Sequence, residues 1–154
     1  MFAETDILPV MPILIPFITG ILCLLVWGNV GLQRAISVIG SSIAVAFSIF
    51  MLGLVQSGGF QVLQMSNWEA PFGISIVVDP FSATMEVLTA SIGLLVVLFS
   101  FSTISDRRAQ VGYYPLVQLL LMGVSGAFIT GDVFNLYVWF EVMLNASFVL
   151  LALG

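Results

Sequence analysis

One carboxylate in this chain stands where carboxylates are costly. Glu141 lies near the middle of the last apolar run, which extends from about Val133 to Gly154. A charged side chain at the centre of a bilayer costs from about 2.5 to well over 10 kcal/mol, and ionisable residues found there serve ion or proton movement by default. If the helix enters near Val133, Glu141 lies about 12 Å deep at 1.5 Å per residue. That depth is close to the midplane of a hydrocarbon core about 30 Å thick. Tyr137 and Asn145 lie four residues to either side of it and share its helical face. Asn135, six residues back, is about 120° round the helix and borders that face. The spacing predicts a carboxylate, a phenol and an amide in a column along the membrane normal.

Loss of water favours the neutral acid, and a nearby cation favours the carboxylate. A glutamate poised between the two changes protonation when its neighbour moves, as a proton relay requires. A permanently neutral Glu141 that only hydrogen-bonds a neighbouring helix is the alternative. Other polar positions carry weaker signals. Glu86 is about five residues into an apolar run and seven residues after Asp79, hence on a similar face. A surface-facing, hydrated acid is the simpler reading, and an outer vestibule for entering ions, formed by Glu86 and Asp79, is the sharper one. Asp132 follows Gly131 at a helix head, where an acid caps free N–H groups and complements the dipole. Gly123, Ser125 and Gly126 read as a packing face, and the methionines as lipid-facing or packing residues.

These groups need a membrane to position them. Of 154 residues, 60% are hydrophobic and 7% charged, against about a quarter charged in soluble domains; mean hydropathy is +1.20. Long continuous apolar runs select helices rather than a barrel. The net charge of -5 comes from acids scattered singly, and no basic patch points to nucleic acid. The sequence contains no His and a single Cys, which excludes an intrachain disulfide and a Cys/His zinc site. With no phosphate loop, cluster-binding cysteines or activated nucleophile, the residues predict neither cofactor, metal site nor bond-making catalysis.

The expected fold is an all-α membrane protein of about five helices, forming a single region over 1–154. Spans are predicted at about 8–27, 35–55, 81–103, 111–129 and 133–154. The first has a proline-kinked outer half, with Pro9, Pro12 and Pro16. Gly40, Ala44 and Ser48 form a small-residue ridge on the second. Between the second and third spans, Phe60–Met65 and Phe72–Val78 flank a turn-rich centre and read as a surface hairpin, with Trp68 as an interfacial anchor. Arg34 and the pair Arg107-Arg108 fall in two loops on one side, cytoplasmic by the positive-inside rule. The N-terminus, with Glu4 and Asp6, is then outside, together with Glu69, Asp79 and Asp132. Its acidic start also suits a retained span rather than a cleaved leader.

The run Gly126-Ala-Phe-Ile-Thr130-Gly-Asp132-Val-Phe-Asn135-Leu-Tyr-Val-Trp-Phe-Glu141-Val-Met-Leu-Asn-Ala-Ser147 resembles the D-type subunits of the Mrp-type multisubunit monovalent cation/proton antiporters. That family is related to the antiporter-like subunits of respiratory complex I and of membrane-bound hydrogenases. Trp68-Glu-Ala-Pro71-Phe-Gly-Ile74 and Asp79-Pro-Phe-Ser82-Ala are similar to it as well. The resemblance implies an ion-translocating subunit of a hetero-oligomeric complex in a prokaryotic cell membrane, with protons and monovalent cations, chiefly Na+, as substrates. It also implies that Glu141 binds and releases a proton, facing a lysine on a later helix. This chain has no lysine and about five spans where the family has about fourteen, so it reads as an N-terminal or split portion carrying the acid half of a pair. A redox-driven proton pump and a helix-packing scaffold are the alternative functions.

Overall fold

The computed structural model describes residues 7–64 and 73–153. The proposed anchor Trp68, the centre of the hairpin, Glu4, Asp6 and Glu69 lie outside the described residues. The described residues open with a 3-10 turn, Leu8–Val10, and continue as α1, Met11–Leu25. Pro9 and Pro12 sit in first turns, where a missing N–H is tolerated, whereas Pro16 lies inside α1 and removes a backbone donor.

Helix α2, Val30–Gly58, starts where the Asn29 side chain accepts from Leu32 N–H at 3.1 Å. It extends the expected span at both ends and so carries Arg34 on the helix rather than in a loop. At 29 residues it is about 43 Å long, and its ends outreach the hydrocarbon core. Gly59, at φ 82°, ends it. Strands β1, Gln61–Gln64, and β2, Ser75–Val78, pair antiparallel, with Gln61 opposite Val78 and Gln64 opposite Ser75. Period-2 alternation buries Ile76 and Val78.

Helix α3, Pro80–Thr103, begins with a reciprocal capping box between Asp79 and Ser82. A short helix not foreseen from the sequence, α4 (Asp106–Gln110), occupies the arginine-bearing connection. Helices α5, Tyr113–Ile129, and α6, Val133–Ala152, follow. Four segments, Leu8–Leu25, α2, α3 and α6, are long and apolar enough to cross a membrane. Helix α5, with 17 residues, is apolar but shorter. Large apolar side chains such as Phe99, Phe134 and Leu151 are exposed along these helices, as lipid-facing positions require. The molecule is an all-helical, multi-pass membrane protein with one small hairpin among its described residues.

Helix α5 is central and packs on α1, α3 and α6, while α2 packs on α1 and α3. Side-chain-free positions set the contacts, as in other membrane bundles. A β-carbon on Gly40 would collide with Thr19 of α1, and one on Gly93 would lie 2.7 Å from Leu121 Cδ1 of α5. At one end, Arg34 bonds Asp106 at 2.9 Å and Tyr114 Oη at 3.1 Å, so the arginine-bearing segments share a side. At the other end, Gly131 N–H donates to Ser75 O at 2.8 Å, and Ile76 bridges Thr130. The hairpin is thereby tied to the α5–α6 connection.

Candidate functional site

Helix α6 enters as its sequence predicts. Asp132 accepts from Phe134 N–H at 3.0 Å and from Asn135 N–H at 3.2 Å, satisfying free donors of the first turn. Only Asn135 and Ala146 are buried along α6. Its seam with α5 runs through Trp139 and Met143. A β-carbon on Gly126 would collide with the Trp139 ring, and one on Gly123 would lie 2.7 Å from Met143 Cγ. The expected packing face of α5 is therefore real for both glycines.

Glu141 lies two residues from both Trp139 and Met143, about 200° away from the seam at 100° per residue. It is consequently exposed on this chain and not buried, which corrects the expectation of a buried acid. Tyr137, 61% exposed, and Asn145 lie on the same open side. Asn145 Nδ2 donates to the Glu141 backbone carbonyl at 2.9 Å, a local bond within α6 rather than a contact to the carboxylate. Asn135 does not join them. It is 7% exposed and turns inward, its Nδ2 donating to Thr130 Oγ1 at 2.9 Å. The helix cap claims this amide, which removes it from the column drawn from spacing.

Asp79 and Glu86 also part company. The Asp79 carboxylate accepts from Ser82 N–H at 2.7 Å, and Ser82 Oγ accepts from Asp79 N–H at 2.8 Å. The Ser82 backbone N–H first, and its hydroxyl second, hold the Asp79 carboxyl below the usual aspartate range. Glu86, two turns deeper on α3, is 3% exposed, which overturns the surface-facing reading. Depth along the helix suggested hydration, but α1, α2 and α5 close over this face. The carboxyl lines a cavity of about 20 Å³ with Ser41 and Ser48 of α2, Thr89, and Gln118 and Ser125 of α5. Gln118 Nε2 donates to Ser41 Oγ at 3.1 Å, whereas Glu86 Oε1 is buried without a partner. A legible signal existed. Ser41 and Ser48, and likewise Gln118 and Ser125, recur seven residues apart on mostly apolar spans, placing polar groups on one face of each.

No protein-family model matches the chain. It is 45% identical over 147 residues to the D-type Na+/H+ antiporter subunit of Alkalihalophilus pseudofirmus, covering 96% of this chain and 30% of that one. It is 43% identical over 145 residues to the D-type Na+/H+ antiporter subunit of Bacillus subtilis, covering 94% and 29%. Among solved structures it is similar to a chain of the Mrp complex from Dietzia sp., with a TM-score of 0.83 at 29% identity, over 92% of this chain and 26% of that one. A chain of the membrane-bound sulfane sulfur reductase, an archaeal respiratory membrane complex, gives a TM-score of 0.78 at 26% identity, over 93% and 29%. The chain thus spans under a third of the length of these curated relatives.

Proposed function

On the premise that this chain belongs to the family of D-type Na+/H+ antiporter subunits, we propose that it supplies early helices of an ion-translocating subunit in a hetero-oligomeric cation/proton antiporter. Glu141 is its proton-binding group. One observation carries the reading: an acid eight residues into a 20-residue apolar helix stands on the side that no described residue covers. Exposed to lipid, that acid would be costly. Covered by a further helix bearing a cation, it gains a partner and a route. Tyr137 and Asn145 flank it on the same open side, and a lysine from outside this chain is the counter-charge. Proton loss at Glu141 then changes the field on that lysine and on the cation pathway beside it.

Protons and a monovalent cation, Na+ by likeness to the curated relatives, are the substrates. The subunit works as a transporter and not as an enzyme. It lies in a prokaryotic cell membrane with its arginine-bearing end cytoplasmic and its N-terminus outside. The test is Glu141→Gln in everted vesicles carrying the assembled complex. Na+-driven collapse of a pH gradient should fall to background while the subunits still copurify. Retained exchange with normal assembly sinks the proposal and leaves a scaffold role.

The likeness to the sulfane sulfur reductase complex supports a second reading, a proton-pumping subunit driven by electron transfer in partner proteins. Copurification of Fe–S or flavin proteins, with proton movement that needs a redox substrate, would favour it. Na+-dependent exchange without such a substrate favours the antiporter.

A further inference from the structure

We propose that the cavity between α1, α2, α3 and α5 is a second proton-holding site, independent of Glu141, in which the Glu86 carboxyl binds one enclosed water. Three observations place it. Glu86 is 3% exposed, and its Oε1 has no hydrogen-bond partner. The cavity it lines measures about 20 Å³, room for one water, which needs about 10–15 Å³ and two to four polar partners. Those partners are at hand in Thr89 and Ser125, and in Ser48 as an acceptor, since its hydroxyl donates to Val45 O at 2.9 Å, while the Gln118 amide is engaged with Ser41.

Charge selects the proton. From α1 the cavity is lined by Pro12 and Pro16, from α2 by serines and apolar groups, and from α5 by Gln118, Leu121 and Ser125. Among these described residues none but Glu86 titrates or carries a charge. Asp79 sits at the head of α3, Arg34 near the start of α2 and Asp132 at the head of α6, each bonded in its own cap or ion pair. A carboxylate here would be buried without a cation, a costly state; the neutral acid instead donates its O–H to the water. Sodium is the weaker occupant, because two prolines, Ala44, Phe47 and Leu121 supply much of the wall and a hard cation wants about six oxygen ligands. Helix α5 separates this site from α6: Ser125 lines the cavity while Gly126 seats Trp139.

Difference infrared spectroscopy on the assembled membrane complex tests this. The wild type should show a neutral-carboxyl C=O band at neutral pH that shifts in D2O, vanishes in Glu86→Gln and persists in Glu141→Gln. Ser125→Ala, which retains the acid, should shift the band and serves if Glu86→Gln fails to assemble. The proposal is overturned if no such band exists, if Glu86→Gln leaves it, if D2O or Ser125→Ala does not move it, or if Na+ at constant pH abolishes it. Loss of the Glu141 reading, through full exchange in Glu141→Gln, would leave the Glu86 band in place, so the two failures are distinguishable.

Discussion

The indole of Trp139 occupies the space that a β-carbon on Gly126 would need. With Gly123 against Met143, this contact seats α6 on α5 and sets the rotation of α6 about its axis. Since Trp139 and Met143 bracket Glu141 at two residues each, the rotation that docks the helix is the rotation that leaves the acid open. Packing and candidate site are thus two consequences of one seam.

Gly126→Ala should therefore disturb function from a distance. The ring must move to admit the methyl group, and overpacking of this kind costs about 1–3 kcal/mol. The detergent-solubilised protein should melt earlier, and exchange activity should fall although no charged group has changed. Gly53→Ala, where nothing lies within 4 Å of the added carbon, is the control and should lower neither.

Glu141→Asp should preserve part of the exchange that Glu141→Gln abolishes. The acid remains while its reach shortens by one methylene, and a misplacement on the order of 1 Å costs up to about 100-fold. Initial rates of Na+-driven pH-gradient collapse, compared at equal subunit content, measure it. An aspartate variant as silent as glutamine would mean that position, and not acidity alone, controls transfer.

Asp79 should make the hairpin end of α3 acid-sensitive. Its carboxyl is held below the usual range in the folded chain, so its contribution is fully present above the unfolded value of about 3.9 and is lost as pH falls through the lower folded value. Melting temperature should decline below about pH 4, and Asp79→Ala should both flatten that decline and cost about 0.5–2 kcal/mol at neutral pH. Thermal melts of the two proteins across acid pH read this directly.

At the opposite end, Arg34 makes two contacts of unequal worth. The Asp106 carboxylate is largely exposed, and such pairs contribute about 0–1 kcal/mol. Tyr114 is fully buried and its Oη lies 3.1 Å from Arg34 Nε and 3.2 Å from Ser100 Oγ, while the guanidinium stacks 5.6 Å from the Phe101 ring centre. Asp106→Asn should be nearly neutral in a thermal melt. Arg34→Ala should cost about 1–3 kcal/mol, because the buried Tyr114 hydroxyl loses a charged donor and keeps only the weaker one from Ser100 Oγ. Added salt should narrow the Asp106 effect and leave the Arg34 effect unchanged.

From the order of amino acids alone it follows that this is a helical membrane protein, roughly where its long helices fall and that a hairpin follows the second of them, although the stretch expected to span at 111–129 forms a helix of only 17 residues. Each of these depends on local composition: apolar length, Asp132 or Asn29 before a helix, alternation at 75–78. The kinship was legible too, in the run from Thr130 to Glu141. Which side of each helix is covered was a matter for the packed bundle. Hydropathy reports how deep a residue lies in the bilayer, but burial within the bundle is a question of angle about the helix axis, settled by where neighbours dock. Glu86, expected at a hydrated rim, is enclosed because α1, α2 and α5 converge on its face. Glu141, expected to be enclosed, stands open because α5 holds the other side of α6, and Asn135 left the predicted column because the Thr130 turn offered its amide a nearer partner.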